Sequence, residues 1–364
     1  MKLTAQTKTL RSAIDRVHQI PGTVSPAGLL VKLSAGMAGL ELTRRTDTSS
    51  LVADCECEVE EEGELIIGID ALSQVISRII GETVSFKSEG VNLIVSSGRM
   101  LAEIAMAGDE QFLSFVQRET VSHEWNFPIE DFLSWLHLGG AYPSHDSTRA
   151  NLNGLIFDSY NDSLLISSSD GVCVSSCNTL QKVGPMEKMI LVPNGCIAAI
   201  QRVFGGSKGK AKIQLTPDSI RVIADGADFV SAVSAEQPPD YKQIIKQETK
   251  TGVTVDREAF AKAVKAGAPL CGDRSLMVFS PGPKLLALYG HGGQLDFTYD
   301  LEAEVFSDNA QEFILPAGQL LLALDRLTEQ TVNLEQNDHI FVVKQPGRYF
   351  AICKSRVEIK RKKK

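Results

Sequence analysis

Apolar positions along this 364-residue chain change their spacing in a recurring order. Stretches spaced by three and four alternate with stretches in which every second residue is apolar, or which are apolar throughout. The first spacing is that of a helix with one buried stripe, the second that of strands. Leu72, Val75, Ile76 and Ile79 fall on one face of a helical segment at Ala71–Ile80. It follows a strand-like run at Leu65–Gly68 and precedes runs at Thr83–Lys87, Leu93–Ser96 and Leu101–Met106. The order returns as Met189–Pro193, helix Cys196–Phe204, then Ala211–Leu215, Ser219–Ile223 and Phe229–Val233. It returns again as Phe313–Pro316, helix Gln319–Leu327, then Val332–Glu335, His339–Val343 and Tyr349–Cys353.

Each of these blocks is preceded by a related one. Strands at Lys2–Ala5, Glu124–Phe127 and Gly252–Val255 lead into helices at Leu10–Val17, Ile129–Leu138 and Arg257–Ala266. Paired strands follow: Leu29–Leu33 with Gly39–Arg44, Asn153–Phe157 with Ser163–Ser168, and Leu276–Phe279 with Lys284–Tyr289. A period of this length marks a tandem architecture. The pattern predicts an α+β chain of three similar repeats, residues 1–121, 122–248 and 249–364, each with two helices on antiparallel sheets. The alternation along the strands buries one sheet face, and the apolar stripe of each helix covers it. Free strand edges in such repeats either stack openly or close into a ring.

Composition narrows the class. Net charge is −8, which by its sum speaks against a nucleic-acid binder, although distribution matters more than the sum. The N-terminal residues lack a secretory apolar run and no stretch is long enough to span a membrane, so a cytoplasmic protein is expected. The seven cysteines are odd in number and contain no Cys-x-x-Cys, which fits reduced thiols and neither a disulfide framework nor zinc. Cys55 and Cys57 read as small core residues on one strand face. Gly205-Gly206-Ser207-Lys208-Gly209 matches Gly-x-Ser-x-Gly, but it lies in the order helix–turn–strand, the reverse of a nucleophile elbow. The same stretch is one residue short of a phosphate loop, and Ala211 stands where magnesium needs a hydroxyl. The histidines are scattered. No catalytic set, metal site or cofactor site emerges, and the chain is not expected to be an enzyme.

Several short segments carry a resemblance. They are Arg149–Phe157, with its Leu152-Asn153-Gly154-Leu155-Ile156-Phe157; Ser169-Asp170-Gly171; Ile190–Pro193; Pro238-Pro239-Asp240-Tyr241; and Thr46-Asp47. In order and spacing they resemble the bacterial DNA polymerase III beta subunit, the sliding clamp, over nearly the whole chain. The resemblance implies three tandem clamp domains and a head-to-tail homodimeric ring, with helices lining the hole and sheets forming the outer wall. It implies duplex DNA, held without regard to sequence, as one partner. Polymerase and clamp-loader subunits, bound through short peptides, are the others. The runner-up is a clamp-like paralogue, encoded by a mobile element, that competes with a resident clamp.

The resemblance also places sites. The cations expected at DNA are Lys8, Arg11, Arg16, Arg78, Arg149, Arg202, Lys208, Lys210, Arg257, Lys262, Lys265 and Arg326. Along the helices and their flanks positive charge modestly outnumbers negative, which suits loose phosphate contact. The peptide pocket would be lined by Leu152, Ser169, Gly171, Val172, Cys173, Val174, Pro239, Gln243, Ile244, Cys353, Lys354, Ser355, Arg356 and Val357. Here the chain departs from the family it resembles. Val172-Cys173 replaces His-Arg, Gln243 replaces a basic residue, and a cationic tail, Glu358–Lys364, follows the pocket's last segment. The dimer contact would join Leu101–Ala107 to Gln294–Asp300, through Ala102, Ile104 and Met106 on one side and Leu295, Phe297 and Tyr299 on the other.

Overall fold

The computed structural model describes residues 1–20, 26–113, 121–272, 275–292, 295–306 and 309–355. Helices occupy α1 (Thr7–His18), α2 (Ile69–Ser77), α3 (Ile129–Gly139), α4 (Asn194–Val203), α5 (Lys242–Ile245), α6 (Arg257–Gly267) and α7 (Ala317–Leu324). Six of them fall where the apolar spacing predicts, within a few residues; the short α5, directly after Pro238–Tyr241, is not among the predicted helices.

Two compact units emerge. Unit 1 comprises Met1–Leu133 and Val192–Ala235, and unit 2 comprises Ser134–Leu191 and Glu236–Lys364. Unit 1 is built on a 13-stranded sheet running from His123–Pro128 at one end to Cys57–Glu61 at the other. A 12-stranded sheet, from Ile190–Pro193 to Phe313–Pro316, forms unit 2. Both sheets continue across the boundaries between sequence repeats. In unit 1 the strand Ala227–Ala232 pairs antiparallel with Ser49–Cys55, Phe229 opposite Leu51. In unit 2 Cys173–Lys182 pairs with Arg348–Cys353, Cys173 opposite Ile352.

The local chemistry accounts for the helices. On α1, Leu10, Ala13, Ile14 and Val17 are buried, and Lys8 and Asp15 face outward. Its C-terminal carbonyls would end unsatisfied. Arg44, buried on the strand Gly39–Arg45, supplies the donors. Its Nη1 donates to the carbonyls of Val17 (3.1 Å), His18 (2.8 Å) and Ile20 (3.3 Å), and its Nε to that of Gly28 (3.0 Å). The positive charge also sits at the negative end of the helix dipole. Asp256 caps α6, accepting from Ala259 N at 2.8 Å, while Phe260, Ala263 and Val264 enter the core. That core gathers Phe279, Phe313, Phe341 and Phe350 with Leu320 and Leu324 of α7.

Cys55 and Cys57 do not share a strand, contrary to the sequence reading. Cys55 ends Ser49–Cys55 opposite Leu40, and Cys57 opens Cys57–Glu61 opposite Ala5, with Glu56 between them. No described helix is long and apolar enough to cross a membrane.

Candidate functional site

The predicted DNA cations fall into two structural classes. Lys8, Arg11, Arg16 and Arg202 line one groove along α1 and α4 of unit 1, together with Asp15. Lys8, Arg78, Arg202, Lys208 and Lys210 have exposed side chains. Arg11 is committed elsewhere: its Nη2 donates to the carbonyls of Ile76 (3.1 Å) and Ile79 (3.0 Å), closing the end of α2. Arg16 pairs with Asp225 and donates to its carbonyl. In unit 2, Lys262 and Lys265 stand exposed on α6. Arg257 Nε is tied to the Glu329 carbonyl at 3.0 Å. Arg326 donates to the carbonyls of His137 (3.0 Å) and Leu322 (2.8 Å). Lysines thus supply most of the freely presented charge; Arg11 and Arg326 brace helix ends, while Arg16 and Arg257 tie their helices to the turn at Asp225 and the loop at Glu329. Arg149 is separate from both classes: its Nη1 donates to the Asp170 carbonyl at 3.0 Å, beside Gly171.

That contact belongs to the surface where the peptide pocket is expected, which lies within unit 2. The Ser169-Asp170-Gly171 turn satisfies its own polar groups. Asp170 Oδ1 accepts from Val172 N (2.8 Å) and Cys173 N (2.7 Å), and Ser169 Oγ accepts from Gly171 N (3.1 Å). Gly171 has φ +87°, a left-handed backbone that favours glycine. The turn presents Val172, which is 50% exposed, while the buried Leu152 lies beside Gly171. Cys353 N donates to the Val172 carbonyl at 3.1 Å, so the last strand closes the same edge.

The next two residues point to opposite faces. Val174, itself buried, joins a second core cluster with Tyr241, Val342 and Ala351, against which the partly buried Ile244 packs. Cys173 is wholly buried among Tyr142, Phe350 and Ile352, so its thiol supports the turn from behind and does not line the surface. Pro239 and Gln243 are exposed, and Lys354 and Ser355 half-buried. Arg356, Val357 and the cationic tail lie outside the described residues.

What anchors the Pro238–Tyr241 segment was not read from the sequence. Tyr241 is buried, its hydroxyl 3.4 Å from Asp158 Oδ2. Lys242 Nζ lies 2.6 Å from the same carboxylate oxygen, and Asp158 is itself buried. Tyr349 donates its hydroxyl to the Ile244 carbonyl at 3.1 Å. An acidic residue in an otherwise apolar strand, Asp158, was the available signal.

Among the described residues, the two edges expected at a dimer contact have no strand partner along most of their length. Met100–Ala105 pairs with Asn92–Ser97 on one side, and the strand's other side meets Gly63–Gly68 only through Met106 and Ala107. Asp296–Glu302 pairs with Leu285–His291, and Lys250–Asp256 reaches only Ala303–Val305. Ala102, Ile104 and Met106 occupy the more buried face of their strand, whereas Leu101, Glu103 and Ala105 are exposed. Leu295 and Tyr299 are exposed; Phe297 is half-buried, its ring against Gly267 of α6. Gln294 lies outside the described residues.

Two crystal structures share this fold. A DNA polymerase sliding clamp from Caulobacter crescentus superposes with a TM-score of 0.89 at 20% identity, covering 98% of this chain and 100% of that one. A DNA polymerase sliding clamp from Pseudomonas aeruginosa gives 0.88 at 19%, with coverage of 98% and 100%. In sequence, the beta sliding clamp of Caulobacter vibrioides is 22% identical over 340 residues, 88% of this chain and 91% of that protein. That of Escherichia coli K12 is 22% identical over 189 residues, 50% of this chain and 51% of that protein. Residues 142–240 match the family described as DNA polymerase III beta subunit, central domain. The chain is thus similar to the DNA polymerase III beta-subunit family over most of its length, with residues 142–240 matching the family's central domain.

The matched span holds both the Ser169-Asp170-Gly171 turn and the Pro238–Asp240 segment. The cysteines of the chain are subdued. Burial pushes the Cys353 thiol up, and the Asp170 carboxylate adds to that. Cys353 is nonetheless the exposed one. A thiol reagent should label Cys353 first, slowly at neutral pH and faster only above the ordinary thiol range, because the raised pKa withholds the thiolate. Mass spectrometry of pulse-labelled protein checks this; rapid labelling at pH 7 would contradict it.

Proposed function

We propose that this chain is a DNA sliding clamp, a non-enzymatic homodimeric ring. In this reading it encircles duplex DNA and tethers the replicative polymerase, the clamp loader and repair proteins through short peptides. The pair of open edges, Met100–Ala105 and Asp296–Glu302, carries the reading. A strand edge left without a partner invites pairing with another chain. Two different edges on one protomer pair head to tail, and head-to-tail contacts close into a ring when the rotation permits. The exposed cations of α1, α4 and α6 supply phosphate contacts that ignore sequence. The Val172–Ile244 surface supplies an apolar seat for partner peptides.

Assembly and loading test this together. Sedimentation at tens of micromolar should return twice the 39.5 kDa chain mass. Loaded on nicked circular DNA, the protein should stay bound until the circle is cut. Lys8→Glu with Arg202→Glu should shorten that retention, with a salt dependence shallower by about 0.9 in logarithmic slope for each phosphate no longer neutralised. Arg257 is unsuitable for this purpose, since its guanidinium holds the Glu329 carbonyl. A persistent monomer, or retention indifferent to both reversals, defeats the proposal.

A further inference from the structure

A second concave site lies in unit 2, near the far end of the strand Cys173–Lys182. We infer that it is a separate docking site for an acidic partner segment, one that inserts a single apolar side chain between flanking carboxylates. The inference does not depend on the peptide surface proposed above.

The site is made by an irregularity. Leu165 stands opposite Asn178 but Ser163 opposite Lys182, so Thr179, Leu180 and Gln181 bulge from the ladder. Leu180 takes φ 58°, a left-handed conformation that a branched side chain adopts only under constraint. The constraint is visible. Leu180 N donates to Asn178 Oδ1 (2.9 Å), and Thr179 Oγ1 donates to the Leu164 carbonyl (3.0 Å). Asn178 N donates to the Gly347 carbonyl (2.8 Å). A Cβ on Gly347, whose φ is +71°, would come within 2.9 Å of the Asn178 carbonyl oxygen, so the two turns interlock closely. The result leaves Leu180 70% exposed, a cost in both strain and apolar surface. Bulges re-aim side chains, and strain held this way gathers at functional sites.

Leu180 faces a cavity of about 240 Å³ whose other apolar walls are Tyr160, Leu165, Ile245 and Tyr349. That volume is below the roughly 300–1,000 Å³ of a small-molecule pocket. It suits one large side chain delivered by a peptide better than a whole cofactor. The rim decides the sign of the partner. Among the described residues it carries Lys242, Lys246, Lys344 and Arg348 and no carboxylate. Lys242 and Lys344 are matched by Asp158 (2.6 Å) and Glu335 (2.8 Å). Lys246 is exposed, and Arg348 spends Nη1 on the Arg326 carbonyl and Thr328 Oγ1, each at 3.0 Å, which leaves its charge uncancelled. A positive rim on a chain of net −8 selects an anionic segment. The chain's own tail, with Lys360–Lys364, has the wrong sign to fill it.

The probe is a fluorescein-labelled acetyl-Asp-Glu-Phe-Asp-Glu-amide, titrated by anisotropy against the full chain at low and high salt. Binding should weaken roughly tenfold or more when Phe is replaced by Ala. It should vanish when the acids are replaced by lysines. Leu180→Gly is the informative variant, because glycine takes the left-handed backbone without strain and keeps the bulge. It should lose roughly tenfold or more in affinity while melting no lower than the parent. Lys246→Glu should weaken binding at low salt, with the difference closing as salt rises. Val172→Asp should bind the probe like the parent. Parent-like binding by both Leu180→Gly and Lys246→Glu overturns the inference, as does equal binding of the lysine peptide. Loss of binding in Val172→Asp would place the probe on the other surface and overturn it too. A gain above tenfold on removing residues 356–364 would show that the tail is the occupant, with the same consequence.

Discussion

Arg44→Met should destabilise unit 1 by about 3 kcal/mol or more. Arg44 is 3% exposed, and every acceptor its guanidinium meets is a main-chain carbonyl: those of Val17, His18, Ile20 and Gly28. Burial lowers its pKa, with Asp70 partly opposing, yet an arginine so shifted still carries its charge at neutral pH. Methionine fills most of the volume but donates nothing, so the buried carbonyls lose their partners, and that loss exceeds the mean worth of a hydrogen bond. Arg44→Lys should recover part of the loss, because one ammonium cannot reach all the acceptors of a planar fork. Denaturant unfolding, followed through a probe in unit 1, measures both. A Met variant within about 1 kcal/mol of the parent would show that water replaces the guanidinium at little cost.

Val172→Asp and Ile244→Asp should each weaken binding of peptides from the host polymerase and clamp loader by roughly 100-fold. Burying a leucine-sized anchor contributes about 1.5–3 kcal/mol, and a carboxylate in its place must also be stripped of water. Val172 takes part in its turn only through main-chain groups, the N–H held by Asp170 and the carbonyl by Cys353, so its side chain can change without disturbing the strand end. Removing the tail at 358–364 should act differently, altering association at low salt and little else. Fluorescence titration with labelled peptides at two salt concentrations separates the two effects. If both aspartate variants bind as the parent does, partner peptides use another surface.

The legible part of this molecule is what repeats. Leu10, Ala13, Ile14 and Val17 announce α1 because a buried stripe must recur every three or four residues, and the same rule finds the other long helices. Gly171 entered the sequence reading only through the resemblance of Ser169-Asp170-Gly171; its left-handed backbone, φ +87°, is seen in the structure. Pairings between distant segments were not legible. Nothing around Arg44 in the sequence says that it reaches back to α1, and a cation counted near a helix looks the same whether it meets phosphate or a carbonyl. That is why Arg11, Arg16, Arg257 and Arg326 read as free charges and prove to be ties. The bulge at Leu180 was hidden because Thr179-Leu180-Gln181 has ordinary strand residues and no glycine to mark the left-handed turn. Cys173 and Val174 were read as one lining, whereas the pleat turns alternate side chains to opposite faces.

The continuity of each sheet across the repeats has a bearing on how the protein can be dissected. A fragment cut at residue 121 would keep a full sequence repeat but strip Ala227–Ala232 from Ser49–Cys55, leaving main-chain donors and acceptors bare along a strand whose Leu51 and Ala53 belong to the core. Such an edge recruits whatever strand it meets, and the fragment should self-associate. Each of the two sheets is woven from non-adjacent lengths of chain, so a cut at a sequence repeat severs strand pairs and not a sheet boundary.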